Sequence, residues 1–477
     1  MGFSQTFTDG NWSYTLNSKS EATITLYSGA GGAVLIPASL GGRSVVSVGT
    51  DSPIFGHRNS TVTSLVIPNT VKSIGENAFD RCEELQSVTI RDGVTSIGRY
   101  AFYGCRKLRI ASLGSGLIEV REHAFNGCDS LASVALPLGL KTIGDYAFYY
   151  CASLTELTIP AAVTSIGDYA FAYCAGLVDV TIGVGSGAMN IGSAAFFYCT
   201  SLKNLILGKS VIAIGSSAFS QCEALTNLTL PSSVRSVGDA AFWWCTSLSS
   251  VSLAEGLEAI GYGAFYNCIS LAELQIPHSV KSMGSQAFLD CSKLAQVVIG
   301  NGLAALEDNT FGGCTSLIDV TLGSSVALIA ARAFDGCLKL KNVIIGASLT
   351  SMEGAIFDQC TDLESVLFKG NTPGSVHFNV FGNSSPTVYY LSGSSGWSQA
   401  FAGRPTKLFA PTVQSPVTKS PPGFHFSWTN TSSIPMNVRR ATLLSGPWTV
   451  VSTNNSTGQF IDPNPPNGKA FYQAYLP

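Results

Sequence analysis

Apolar residues recur along this chain on a fixed beat. Cys stands at 82, 105, 128, 151, 174, 199, 222, 245, 268, 291, 314, 337 and 360, so eleven of the twelve intervals are 23 residues and one is 25. Phe lies three residues before each Cys, from Phe79 to Phe357, and Leu three after, from Leu85 to Leu363. A fixed period of this size signals stacked supersecondary units, each unable to bury its apolar face alone.

Within a unit the order is Cys-x-x-Leu-x-x-[Val/Leu]-x-[Ile/Leu], as at Cys151, Leu154, Leu157 and Ile159. That spacing suits a short half-buried strand, and Pro160, with no N–H to give to a ladder, closes it. Stacking thirteen such strands in parallel sets like side chain over like about 4.8 Å apart, which predicts a solenoid. The return path runs through Val163, Ile166, Gly167, Ala170 and Phe171 to Cys174, and its spacing predicts a single helical turn. Gly stands seven residues before Cys in nine units and gives way to Arg121, Glu307, Ala330 and Glu353 in the others. Since bulky residues are accepted, close packing is the expected reason for Gly there, and a left-handed backbone is not.

The cysteines read as a buried ladder of small side chains. Their number is odd, no Cys-x-x-Cys occurs and no His interleaves for zinc. Neighbouring Cα atoms fall within disulfide range, but side chains stacked in parallel suit the disulfide torsion poorly.

Leu-x-x-[Val/Leu]-x-[Ile/Leu] on this period, joined to Ile-Gly-x-x-Ala-Phe-x-x-Cys, resembles the BspA-type (treponemal) leucine-rich repeat over roughly residues 51–409. The resemblance implies a leucine-rich repeat solenoid, with a parallel β-sheet on the concave face and short helical turns and irregular segments opposite. Known members are bacterial and protist surface or secreted proteins, mostly implicated in adhesion. A secreted or cell-surface location follows as an expectation.

Five segments are expected. Residues 1–50 lack the period but alternate, as in Ala22–Tyr27, and read as a β-rich amino cap that shields the first repeat's edge. Repeats fill 51–370, beginning with a degenerate unit in which Arg58 stands near the place of Cys. A carboxyl cap spans 371–409 and contains Trp397 and Phe401. A Pro/Ser/Thr linker, 410–422, precedes a small β-sandwich-like module at 423–477 that includes Trp428 and Trp448.

Composition narrows the function. Charged residues make up 12% of the 477, about half the usual share, and the net charge is −3. Such a chain offers no basic field for nucleic acid. No apolar run reaches the roughly 18 residues of a membrane-spanning helix, and no signal peptide is expected before Phe3. The histidines, at 57, 123, 278, 377 and 425, are scattered, and no catalytic group, cofactor or metal site is nominated. Asp145, Asp168 and Asp239 recur at one phase as isolated carboxylates expected to face water. Gly183, Gly185 and Gly187 lack the Lys of a phosphate loop and hold the two extra residues of the 25-residue interval.

Two surfaces remain as candidates. Tyr150, Tyr173, Tyr198 and Trp244 precede Cys directly, interrupted by Gln221; Tyr103, Tyr149, Phe197, Trp243 and Tyr266 stand one residue earlier; Tyr100, Tyr146 and Tyr169 share a third phase. Stacked, these rings form an aromatic strip suited to sugar rings or a protein partner, or they simply cover the core's edge. The second surface is the outward side of the sheet, with Thr155, Glu156, Thr158, Thr226, Asn227, Thr229, Ser250 and Ser252, and further on Lys341 and Asn342. The expected function is adhesin-like binding of a protein or glycan ligand on another cell or matrix. Carbohydrate binding through the strip and a structural stalk or lattice role are the alternatives.

Overall fold

The computed structural model describes residues 5–55, 61–185 and 187–410, and beyond them the strands Thr412–Ser420, Gly423–Thr429, Met436–Ala441, Thr449–Asn455, Gln459–Asp462 and Phe471–Tyr475. His57, Arg58 and Trp448 lie outside the described residues. Contacts divide the chain into two units, Met1–Leu271 and Ala272–Pro477.

Each repeat contributes two strands. In the first unit the longer strands Val62–Ile67, Ser87–Ile90 and Ile110–Ser112 pair in parallel, with Ser64 opposite Ser87 and Ile110 opposite Ser87. Glu156–Thr158, Asp179–Ile182 and Asn204–Leu207 pair likewise, as do Asn227–Thr229 and Ser250–Ser252. A second ladder joins the Ser-Ile dipeptides of the return path, Ser73–Ile74 to Ser96–Ile97 and onward through Ser165–Ile166. The 25-residue interval preserves both registers, Asp179 facing Asn204 and Ser165 facing Asn190, so its extra residues are absorbed between Ile182 and Met189.

Inside run columns of identical side chains. From Phe79 to Phe265 each ring stacks on the next at 5.0–5.4 Å, and from Phe288 to Phe381 at 5.5–5.8 Å. Both spacings exceed the roughly 4.8 Å between strands. Within each unit the turn side is therefore the longer, and the strand side is concave.

All thirteen cysteines are free and buried. Each resolved thiol bond has one form: Cys105 Sγ donates to the Phe79 carbonyl at 3.3 Å, Cys245 to Phe219 at 3.3 Å and Cys360 to Phe334 at 3.1 Å. One more rung follows, because buried Ser384, three residues after Phe381, donates its hydroxyl to the Phe357 carbonyl at 2.6 Å.

The expected helical turn is absent, and no helix occurs among the described residues. In the repeat ending at Cys151, the N–H groups of Tyr146, Phe148 and Tyr150 donate to the carbonyls of Asp168, Ala170 and Ala172 in the next repeat. Those of Ala147, Tyr149 and Cys151 donate three residues back. A helix points every N–H the same way along its axis, so this alternation requires backbone reversals. They occur at the residues five and one before Cys, with φ of 56° at Tyr146 and 61° at Tyr150. The same two phases are left-handed in the other repeats, for example at Tyr169, Tyr173, Ala240 and Trp244.

Gly seven before Cys has no positive φ. A Cβ on Gly144 would come within 2.7 Å of Glu122 N, and one on Gly215 within 2.7 Å of the Gly192 carbonyl carbon. Close backbone approach is thus what selects Gly at this phase.

At the amino end Thr6–Asp9, Trp12–Leu16 and Ala22–Tyr27 form an antiparallel meander, and Arg43–Val48 pairs in parallel with Ala22–Tyr27 and with Ser73–Ile74. In the second unit the longer strands run from Glu273–Ile276 to Thr387–Tyr390 and end on the hairpin Ala400–Phe401 with Arg404–Leu408. Trp397 stacks on Tyr390 at 5.4 Å. The stretch expected to be a linker is itself a strand, Thr412–Ser420, paired with Gly423–Thr429. Pro416, which cannot donate, falls in its register shift. Two three-stranded antiparallel sheets complete the chain.

Candidate binding surface

The left-handed turns determine where the aromatic side chains stand. At the phase five before Cys, Tyr100, His123, Tyr146 and Tyr169 stack face to face, with centroids 4.6, 4.7 and 4.9 Å apart and planes within 9°. His123 belongs to this series by its spacing, 23 residues from both Tyr100 and Tyr146, and is absent from a set built on Tyr, Trp and Phe alone. Burial lowers the His123 pKa, which favours the neutral ring, and Asn126 Nδ2 lies 2.8 Å from its Nδ1.

At the two phases nearest Cys, Tyr149 meets Tyr173 edge-on at 5.3 Å, and Tyr173 contacts Phe197 and Tyr198 at 5.4 and 5.2 Å. Tyr146 touches Tyr149, and Tyr150 lies 5.7 Å from Tyr173. One repeat later Ser220 and Gln221 occupy these phases. Beyond them Trp243 contacts Trp244 and Tyr266 at 6.0 Å each. The expected strip residues therefore form two patches. Tyr150, Tyr198 and Trp244 are the most open of them, at 49, 40 and 40% exposure; the rest are half-buried. Burial raises the pKa of Tyr146 and Tyr149, with neighbouring phenols adding to it at both and the Asp145 and Asp168 carboxylates at Tyr146, which keeps both hydroxyls protonated donors.

The outward sheet residues also fall where the alternation placed them. Thr155, Glu156, Thr158, Asn227, Thr229, Ser250 and Ser252 are exposed, and Thr226 is half-buried. Register aligns them in columns: Glu156, Asp179 and Asn204 in one, Asn227 beside Ser250 and Thr229 beside Ser252 in others. Asn204 Nδ2 donates to Asp179 Oδ1 at 2.6 Å.

Lys341 is exposed, but Asn342 departs from expectation by being buried, donating to Asp319 and accepting from Ser365. Near it the neighbouring outward column turns apolar, with Ile344, Leu367 and Tyr389 in register. These pack with Phe409, Met436 and Val438, so strand Met436–Ala441 covers this end of the face. The change was visible in the sequence as Val343-Ile-Ile345, Val366-Leu-Phe368 and Val388-Tyr-Tyr390, where alternation gives way to continuous apolar runs.

The remaining polar candidates stitch repeats together. Asp145, Asp168 and Asp239 are exposed, and their Oδ1 atoms accept backbone N–H groups from Asp168, Ser193 and Tyr262 at 2.7–2.8 Å. His278 Nδ1 accepts the Asn301 N–H. Among the described residues no three His, Cys, Asp or Glu could hold a metal ion, and no helix is long and apolar enough to cross a membrane.

Comparison with known proteins agrees with this architecture. The sequence profile of the BspA type leucine rich repeat region matches residues 53–178, 179–295 and 287–394. No curated protein matches the chain. A leucine-rich repeat protein from Bacteroides ovatus is 23% identical over 85% of this chain and all of its own, with a TM-score of 0.56, a likeness of fold. A leucine rich cell surface protein from Faecalibacterium prausnitzii is 28% identical over 77% of this chain and 95% of its own (TM-score 0.41). The leucine rich repeat protein of T. pallidum is 31% identical over 46% of this chain and 91% of its own (TM-score 0.36).

Proposed function

The chain belongs to the BspA-type leucine-rich repeat family, and on that premise we propose that it is a secreted or surface-displayed, non-enzymatic protein that binds a protein partner on another cell or matrix. The observation that carries this reading is the outward face of the first unit's longer strands. There hydroxyl, amide and carboxylate groups stand exposed in register over buried Leu157, Val180 and Leu228. A concave surface of short side chains admits a partner's protruding element and hydrogen-bonds it without charge steering. Panels of extracellular-matrix and cell-surface proteins supply the test. Glu156→Arg with Asn227→Arg is expected to weaken capture at least tenfold, about 1.4 kcal/mol. Unchanged capture by that double variant removes the sheet face as the site.

A second reading, carbohydrate binding along the aromatic strip, is favoured by the paired patches around Tyr173 and Trp244. Aromatic faces accept the apolar side of a sugar ring while phenol hydroxyls bond its edge. Glycan binding lost in Tyr173→Ala with Trp244→Ala supports the strip, and binding retained in full counts against it.

A further inference from the structure

The phase directly before Cys carries Tyr in the repeats of Cys151, Cys174 and Cys199 but Gly in those of Cys105 and Cys128. Where Gly104 and Gly127 withhold a side chain, an open cleft of about 480 Å³ remains, inside the roughly 300–1,000 Å³ range of small-molecule sites. Arg81 and Tyr150, at the same phase in the flanking repeats, close its two ends. Tyr103, Asn126 and Tyr149 line one side, and Arg106 and Asp129 the other. The Arg81 guanidinium lies 5.8 Å from the Tyr103 ring centroid, a cation–π distance that steadies both.

The chemistry of this lining is specific. Two guanidinium groups, Arg81 and Arg106, share the lining with two carboxylates, Glu83 and Asp129, so the formal charges of the lining sum to zero and an anion gains no net field. Asn126 turns its Nδ2 to neutral His123, which leaves its Oδ1 to accept from a ligand. Donors and acceptors thus alternate around aromatic walls. A flat apolar ring edged by neutral hydroxyls, each both donor and acceptor, matches that arrangement.

We propose that this cleft is a binding site for a neutral saccharide, adjoining the patch around Tyr173, with which it shares Tyr149 and Tyr150, and distinct in position from the ring faces of Tyr173 and Trp244. The inference rests on the carbohydrate reading for its class of ligand, and its location is its own.

Gly127→Tyr provides the test because the fold already carries Tyr at this phase. Gly127 has φ of 72°, beside 61° at Tyr150 and 59° at Tyr173, and an added Cβ would meet nothing nearer than Gly104 Cα at 3.6 Å. The variant fills the cleft and leaves Tyr173 and Trp244 unchanged. Wild type, Gly127→Tyr, Tyr103→Ala and Tyr173→Ala with Trp244→Ala are to be compared on an array of neutral oligosaccharides, with sialylated and sulfated ones as anionic comparators. Hits are then titrated by calorimetry at 50 and 500 mM salt, with circular dichroism confirming the fold of each variant. The expected result is wild-type binding to a neutral glycan with a Kd that salt leaves unchanged. Gly127→Tyr and Tyr103→Ala should each lose at least tenfold, and the strip variant lacking Tyr173 and Trp244, of which Tyr173 only supports Tyr149 and Tyr150 from behind, should lose less than either. Binding that survives Gly127→Tyr, or wild-type binding confined to anionic glycans, overturns the cleft. Loss confined to the strip variant moves the sugar to the strip, and no wild-type binding to any glycan ends both readings.

Discussion

Cys245 shows what a single residue does here. It is completely buried, its thiol donates to the Phe219 carbonyl at 3.3 Å, and burial pushes its pKa up to about 12. The group holds its proton more tightly folded than unfolded, where it ionises near 8.5. Its stabilising contribution is therefore complete below pH 8.5 and is lost as the pH climbs toward 12, by about 1.4 kcal/mol per unit. Ser384 already fills the equivalent place with a hydroxyl bonded to the preceding Phe carbonyl, so Cys245→Ser is expected to cost under about 1.5 kcal/mol at pH 7. Between pH 8.5 and 10 the Ser variant should lose about 2 kcal/mol less than wild type in urea unfolding. Equal pH slopes would show that Cys245 does not hold its proton more strongly in the fold. Reagents for free thiols should find all thirteen cysteines only after denaturation.

At the scale of the turn, two kinds of Gly solve different problems. Gly336 is left-handed, with φ of 71°, and an added Cβ has room, 3.7 Å from Gly313 Cα. Gly238 has no positive φ, but its Cβ would stand 2.6 Å from Ser216 N. Gly336→Ala is expected to cost about 1 kcal/mol through backbone strain alone. Gly238→Ala should cost roughly 1–3 kcal/mol through crowding, bounded because Arg121 and Glu307 show that a repeat can yield at that phase. Thermal or urea unfolding of the two variants ranks them, and the reverse order would contradict this division. The Gly packing phase was legible because its exceptions were bulky residues. The left-handed phases were not, since Tyr, Trp, Ala, Asn and Arg all occupy them. Alternating hydrogen bonds between repeats force that conformation, whatever the side chain prefers.

Across the second unit, low charge and apolar composition meet a covering element. Ile344, Leu367 and Tyr389 would leave an apolar patch on the concave side, and Met436 and Val438 are buried against it. Val438→Asp places a carboxylate in that contact, a penalty of several kcal/mol once buried. The expected result is release of strand Met436–Ala441, read as faster proteolytic cleavage beyond residue 410 together with increased binding of a hydrophobic dye. Unchanged cleavage and dye binding would mean that this contact does not hold the strand in solution.

The period by itself determined the stacked parallel strands, the buried Phe, Cys and Leu columns, and the exposed Thr, Asn and Ser of the sheet face. In a one-dimensional stack a residue's neighbours are the residues one period away, so spacing alone names the contacts. It also held His123 in phase with Tyr100 and Tyr146. What the tertiary structure decided lies off the period or beneath the side chain. The backbone reversals at Tyr146 and Tyr150 follow from bonds to the next repeat. The cleft at Gly104 and Gly127 comes from four consecutive repeats acting together. The burial of Ile344 and Leu367 depends on a segment some 70 to 90 residues away that shares no beat with them. Repetition fixes contacts that recur; those made once are decided only when the chain is folded.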